Sequence, residues 1–314
     1  MSPVFSVIVP VYNRAHLLER ALASVFDQSL QDFEIVVVDD GSSDDPQSVV
    51  EAIGDSRIRF VRQENRGGGA ARNTGIDMAR GRYIAFLDSD DRFLPHHLIT
   101  MKAMLDREPG SAAYARMSVD RGNGNMMLRP PRAIRPGEHM ADYLLRERGF
   151  VPTITLALDT ETARRVRYDP RLPFSQDTDF AIRLYLAGCR FKMAEEPGAI
   201  CEDVADPMRV SQGRKGARLM AWLDEMRPQI PSRAYHGCRG WTIAKGLAPA
   251  SPGRALALYL NAVLRGCYRP RLAAVILVQV FMPDALYRRM ADGVIAAMDA
   301  SRRFKRPTLR RRFA

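Results

Sequence analysis

The stretch Gly81-Arg82-Tyr83-Ile84-Ala85-Phe86-Leu87-Asp88-Ser89-Asp90-Asp91 carries most of the fold reading. Tyr83 to Leu87 is a short apolar run of the kind that forms a buried strand, and the four polar residues behind it stop that strand. Asp88-Ser89-Asp90 puts two carboxylates on one tight turn. Such a pair suits a hard divalent cation, which takes oxygen ligands and keeps substrate phosphate in its shell. The competing reading is ordinary turn and cap chemistry, since Asp and Ser serve both. What surrounds the stretch decides between them.

Upstream the same arrangement repeats. Val4 to Val9 is a β-branched apolar run ended by Pro10 and the loop residues Tyr12-Asn13. Leu17, Leu18, Ala21, Leu22, Val25 and Phe26 then recur at helical spacing. Ile35 to Val38 is a second strand, closed by Asp39-Asp40-Gly41-Ser42-Ser43-Asp44, and Ile58 to Val61 is a third. Gly67-Gly68-Gly69 feeds a helix over Ala70 to Ala79. Strand alternating with helix predicts an α/β fold with a parallel sheet and right-handed crossovers, whose ligands bind beyond the carboxyl ends of the strands. The polar clusters after the first, second and fourth strands fall there. The triple glycine is no dinucleotide fingerprint, because Arg72 takes the last position of G-x-G-x-x-G and polar Gln63 to Arg66 precedes it.

Downstream, the pattern weakens from Gly110 to Gly149, with a hairpin or loop tip at Gly122-Asn123-Gly124-Asn125. Ile154 to Leu158 reads as a strand and Thr178 to Leu186 as a helix. His96 and His97 open a helix after Pro95, and none of the five histidines sits in a ligand pattern. Helices are expected over Ala217 to Met226, Trp241 to Leu247, Arg254 to Cys267, Arg271 to Val280 and Ala285 to Met298. The edge between the two parts falls near Val210 to Gly216, giving a catalytic unit over 1–215 and a basic helical region over 216–314.

Composition agrees with a globular chain: 314 residues, 46% hydrophobic and 26% charged, which excludes disordered and collagen-like classes. The charge is uneven. Residues 216–314 hold 18 Lys/Arg against 5 Asp/Glu, whereas the rest hold 29 against 31. A basic part beside a neutral one suggests an anionic partner for the former. Four separated cysteines with no C-x-x-C read as reduced, mostly buried thiols rather than a zinc site or disulfide frame. The N-terminus shows no secretory leader pattern. The longest apolar stretch, near Leu272 to Pro283, is about 12 residues, short of the roughly 20 that a membrane span needs.

Four segments together resemble the family-2 glycosyltransferases of the GT-A fold: PVYNR at Pro10 to Arg14, EIVVVDDGSSDD at Glu34 to Asp45, GGGAARNTGI at Gly67 to Ile76, and GRYIAFLDSDD at Gly81 to Asp91. QDTDFAIRL at Gln176 to Leu184 is similar to the family's acidic acceptor-side motif, with Gln176 where Glu is usual. The resemblance covers roughly Phe5 to Arg209. It implies a nucleoside diphosphate sugar as donor, with Pro10 and Tyr12 lining the base pocket and Asp39 accepting a hydrogen bond from the base. It further implies that Asp88, Ser89 and Arg72 lie at the nucleotide sugar, that Asp90 with Asp88 binds Mn²⁺ or Mg²⁺, and that Asp177 is the catalytic base. A helix-surface arginine is the alternative for Arg72. Helix capping is the alternative for Asp177 and Asp179, with Asp179 the better cap. Asp206 to Gln212 resembles the family's R-x-x-x-x-S segment, without the His often found there.

The expectation is therefore an inverting, metal-dependent transferase of the exopolysaccharide type. It takes a UDP-sugar as donor and a lipid-linked saccharide as acceptor, and works in the cytoplasm at the inner face of the membrane. Leu272, Val275, Ile276 and Val280, with Arg269 and Arg271 nearby and the Arg-rich tail from Arg302 to Arg312, read as a surface-lying membrane anchor. No nucleic-acid module accompanies the tail. Two rival classes are a sugar-phosphate nucleotidyltransferase, which lacks its G-x-G-T-R loop here, and a non-catalytic binding scaffold, which the intact Asp39, Asp88, Asp90 and Asp177 disfavour.

Overall fold

The computed structural model describes residues 2–122, 126–203 and 216–283, together with Leu286, Tyr287 and Met290. Strand and helix alternate through β1 (Phe5–Val11), α1 (Ala15–Phe26), β2 (Phe33–Asp39), α2 (Pro46–Ile53), β3 (Ile58–Arg62), α3 (Gly68–Met78) and β4 (Tyr83–Phe86). Then follow β5 (Arg92–Phe93), α4 (His97–Arg107), β6 (Ser111–Asp120), β7 (Met126–Arg129), α5 (Met140–Leu145), β8 (Ala157–Asp159), α6 (Thr160–Val166), α7 (Gln176–Leu186) and β9 (Arg190–Glu202). The C-terminal helices are α8 (Gly216–Met226), α9 (Ser232–Cys238), α10 (Ala244–Leu247), α11 (Pro252–Leu264) and α12 (Pro270–Phe281), with a π-helical stretch over Arg239–Ile243 joining α9 to α10.

All strands share one sheet in the order β3-β2-β1-β4-β8-β6-β9-β5, with β7 paired to β6. The first four are mutually parallel, and Val11 stands opposite Asp39, which stands opposite Arg62. Ile8 pairs with Phe86, so the carboxyl ends of β1, β2 and β4 lie side by side. The chain runs outward from β1 to β3 and returns to β4 on the other flank of β1. That reversal opens a crevice beyond the strand ends.

These strands are apolar on both faces, as a sheet covered on both sides requires. Val7, Val9, Ile35 and Val37 pack with Leu18, Leu22 and Val25 of α1, whereas Ile8, Ile84 and Phe86 face Tyr114, Tyr143 and Phe180 on the other side. Each large aliphatic so buried contributes about 1.5–3 kcal/mol. Asp44 caps α1 from a distance, accepting from the Ala15 N–H at 2.7 Å. Asp45 caps α2 ahead of Pro46. Gly75 lets α3 press onto β1: a Cβ there would stand 2.4 Å from Ile8 Cγ2. The core on the Phe86 side continues through Trp222, Leu223, Tyr235 and Cys238, and a smaller cluster around Tyr259, Tyr268 and Ile276 holds α10 to α12.

Several expectations are corrected. The helix after the triple glycine starts at Gly68, and the acceptor-side helix starts at Gln176. Only Ala157–Asp159 is strand in the Ile154 to Leu158 run, because Thr153–Thr155 makes a single 3₁₀ turn. Ile276 and Val280 form the inner face of α12, and its exposed apolar residues are Leu277, Val278 and Phe281. The helix turns its small and β-branched stripe onto Tyr259 and Tyr268 and leaves the adjacent stripe outside. As expected, no disulfide joins the four cysteines, and three of them are buried. Among the described residues no helix is long and apolar enough to cross a membrane. The segment Asp206 to Gln212, most of the helix expected from Ala285 and the Arg-rich tail lie outside the described residues.

Candidate active site

Beyond the ends of β1, β2 and β4 lies a cavity of about 730 Å³. Pro10, Tyr12, Arg72, Asp88, Ser89, Asp90 and Asp177 all line it, so one cavity gathers seven of the eight residues singled out in the sequence. Asp39, the eighth, is fully buried at the end of β2 and is not among the lining residues. Its Oδ1 accepts from the Ser42 N–H at 2.8 Å. Its Oδ2 accepts no hydrogen bond among the described residues and stands 3.5 Å from Arg62 Nη1.

The loops around the mouth are stitched together by polar side chains. Ser42 Oγ accepts from the Asn13 N–H at 3.0 Å, and Asn13 Oδ1 accepts from the Ser43 N–H at 2.8 Å. Asp40 accepts from the Gln63 amide at 2.7 Å, the Arg66 N–H at 3.0 Å and the Gly67 N–H at 2.7 Å. The turn that starts α3 is thus tied to the end of β2. A carboxylate with three donors satisfies most of its lone pairs.

Arg72 is buried, at 8% exposure, which overturns the helix-surface alternative. Its Nη2 meets Asp88 Oδ1 at 2.5 Å, its Nη1 donates to Gln176 Oε1 at 3.1 Å, and its guanidinium lies 5.4 Å from the Tyr168 ring centroid. Burial by itself lowers its pKa, but Asp88, Tyr168 and Asp177 together hold it above the ordinary arginine value. Arg14 pairs with Asp90 across the cavity floor. The two carboxylates of the D-x-D turn therefore each hold an arginine.

Asp88, Asp90 and Asp91 can bring one carboxylate oxygen each within 4.8 Å of one another. This all-oxygen, anionic donor set fits a hard divalent cation. Asp91 differs from the other two. It is buried and accepts from the Glu202 N–H at 3.0 Å, and burial, with Asp88 and Asp90 beside it, raises its pKa well above the usual carboxylate range. Asp88 and Asp90 are less buried than Asp91, and all three line the cavity.

Asp177 sits in the first turn of α7 and lines the same cavity. Burial raises its pKa; Arg72 pulls it back down, and Asp88 adds to the rise. The capping alternative fails for Asp179: the cap position is Ser175, and Asp179 points inward, accepting from Trp222 Nε1 at 2.8 Å and Arg183 Nε at 2.8 Å. Sequence reasoning assigns no role to Arg14, Asp40 or Phe150, all of which line the cavity. Arg14 and Asp40 stand inside the quoted motifs, so their position was a usable signal. Phe150 follows a stretch without periodicity and offered none.

The glycosyl transferase family 2 model matches residues 6–170. The amylovoran biosynthesis glycosyltransferase AmsB of Erwinia amylovora is 31% identical over 250 residues, covering 76% of this chain and 83% of that one. A Campylobacter jejuni GalNAc(5)-diNAcBac-PP-undecaprenol beta-1,3-glucosyltransferase is 44% identical over 103 residues, 32% of this chain and 33% of its own. Among solved structures, S. aureus TarS 1-349 in complex with UDP-GlcNAc superposes with a TM-score of 0.60 at 19% identity, covering 88% of this chain and 85% of that chain. The mannosyltransferase PcManGT of Pyrobaculum calidifontis, in complex with GDP-Man and Mn²⁺, gives 0.57 at 20% identity, covering 93% and 88%. The structural likenesses establish the GT-A fold, and the sequence matches establish more: the chain belongs to glycosyl transferase family 2.

Proposed function

We propose that this glycosyltransferase moves a sugar from a UDP-sugar to a lipid-linked saccharide, with inversion, during assembly of a bacterial surface polysaccharide. The observation that carries the reading is one cavity lined by both the D-x-D pair and Asp177. The polysaccharide and lipid-linked parts are supported by the amylovoran biosynthesis relative from Erwinia and the undecaprenol-linked glucosyltransferase relative from Campylobacter. The UDP part is supported by Asp39 Oδ2 at the end of β2, which accepts no hydrogen bond among the described residues and is the acceptor type that a uracil N–H needs, though it stands buried beside Arg62.

In this reading Pro10 and Tyr12 flank the base and Ser89 lies beside the ribose and diphosphate. Asp88 and Asp90 hold Mn²⁺ or Mg²⁺, which when bound supplies Lewis-acid neutralisation of the diphosphate. Asp177 takes the proton of the acceptor hydroxyl as its oxygen attacks the anomeric carbon. The bond from that carbon to the diphosphate oxygen breaks, and nucleoside diphosphate leaves. A carboxyl with a raised pKa is the stronger base for that transfer. Arg72, between Asp88 and Gln176, fixes the spacing of the D-x-D turn and α7.

Residues 216–314 are proposed to bring this site to an anionic membrane face. Leu256, Leu260 and Leu264 form an exposed stripe at every fourth residue of α11, with Leu264 87% exposed, and Leu277, Val278 and Phe281 are exposed on α12. Exposed Arg254, Arg265, Arg269 and Arg271 accompany them. Apolar stripes beside cations suit a headgroup boundary. Nucleoside diphosphate release from a panel of donors, with Mn²⁺ and with EDTA, tests the function. Release from no UDP-sugar, or release unaffected by EDTA, would overturn the donor or the metal.

A further inference from the structure

A second cavity, of about 420 Å³, adjoins the first, and Phe150 and Cys201 line both. Arg121, Arg129 and Arg148 converge on it between apolar walls that include Met117 and Trp241. Asp203 pairs with Arg121 at 3.8 Å. Among the described residues no carboxylate pairs with Arg129 or Arg148. Arg148 holds φ at 60°, a left-handed conformation that residues with a side chain rarely keep without cause. Burial first, then the Arg148 and Arg121 charges, lower the Arg129 pKa.

Among the described residues that line the cavity, three guanidinium groups meet one carboxylate, a surplus of two positive charges in a partly desolvated site. A diphosphate diester carries two negative charges, and guanidinium forks match phosphate oxygens. Gln279 of α12 also lines the cavity, and its sequence neighbours Leu277 and Val278 are exposed. A cationic pocket therefore opens beside the active-site cavity and next to an apolar outer face. We infer that Arg121, Arg129 and Arg148 form an anion subsite that holds the diphosphate of a lipid-linked acceptor while its sugar reaches Asp177. The subsite rests on the lipid-linked acceptor proposed above.

The test uses the full-length protein in EDTA and follows the fluorescence of Trp241, the cavity-lining one of the two tryptophans, as n-decyl diphosphate is added. Saturable binding is expected. It should weaken by about tenfold or more in Arg129→Gln/Arg148→Gln and stay within about threefold in Arg129→Lys/Arg148→Lys, since charge rather than shape is removed only in the first. Thermal melting and UDP binding of each variant report whether it folds. Decyl maltoside should not bind, and inorganic pyrophosphate should bind more weakly than the decyl ester. Equal binding of pyrophosphate would overturn the lipid-linked source. Undiminished binding in the folded Gln pair would overturn the subsite. If decyl diphosphate binds at these arginines but no diphosphate-linked saccharide stimulates nucleoside diphosphate release, the acceptor reading fails and the anion site stands.

Discussion

Arg72 and Asp88 meet at 2.5 Å, and the same guanidinium reaches Gln176, the residue before Asp177. One arginine on α3 thus touches both the turn that holds the D-x-D pair and the helix that holds Asp177, the proposed base. Neither can shift alone without breaking a contact to Arg72.

Arg72→Gln should therefore cost activity beyond donor affinity, with turnover lower by about 10²-fold, the scale of losing one preorganised electrostatic partner. The pH profile gives a sharper check. Arg72 lowers the Asp177 pKa against burial, so its removal lets that pKa rise further. The base works ionised, so the acidic limb of kcat/KM should move to higher pH. An unmoved limb would show that Asp177 does not titrate in catalysis.

Asp177→Asn should reduce transfer by roughly 10²-fold or more while nucleotide binding persists. It should also raise Tm at neutral pH. A carboxyl whose folded pKa is raised stabilises the fold at acid pH, and that stabilisation is lost as pH rises through the folded value. Asn removes the penalty. Calorimetry at pH 7 that shows a lower Tm would count against the assignment.

Asp90→Ala should raise the Mn²⁺ concentration needed for half-maximal turnover by about tenfold or more. The fold should survive, because Asp90 lies in the turn after β4 and pairs with Arg14 at the cavity rather than in the core. Metal titration of donor turnover decides this, and a wild-type curve would remove Asp90 from the ligands.

Gly75→Ala should destabilise the chain by about 1–3 kcal/mol, the range for an overpacked contact. The new methyl would meet Ile8 Cγ2, and Ile8 is itself fully buried in β1. Urea unfolding of wild type and variant measures it. Gly75→Ala paired with Ile8→Val should recover part of the loss.

Leu256→Ser/Leu260→Ser/Leu264→Ser should reduce co-sedimentation with phosphatidylglycerol vesicles. Wild-type binding should fall as salt rises, because screening shortens the reach of the exposed arginines. No sedimentation of wild type at low salt would leave the C-terminal region without a membrane role.

The parallel half of the sheet was legible because its strands are unbroken apolar runs ended by polar turns, as at Tyr83 to Leu87. β6 and β9 were not. β6 is Ala-rich and carries a register shift at Ala115 and Arg116, and β9 contains Glu195-Glu196-Pro197, which reads as loop. They become strands through each other, over ten paired positions. Asp88 and Asp90 were marked by the D-x-D after an apolar strand, and Asp177 and Arg72 by resemblance to the family's motifs. The burial of Arg72 was not legible, because a helical position says nothing of burial until Tyr168 and Gln176 are seen around it. Nor was the Arg121, Arg129 and Arg148 cluster, whose members lie on β7 and on loops and meet only in three dimensions.

The bond from Trp222 to Asp179 sets a rule for recombining this enzyme with its relatives. The helix that bears the base is braced from a residue more than forty positions later, outside the segment matched by the family model. A chimaera grafted at residue 215 would keep every donor-side group yet inherit a foreign brace. Without an indole N–H at that place, the inward carboxylate of Asp179 keeps only Arg183 of its own helix among the described residues, and α7 loses a polar tie to α8. Swaps that carry α7 and α8 together should work where swaps that part them fail.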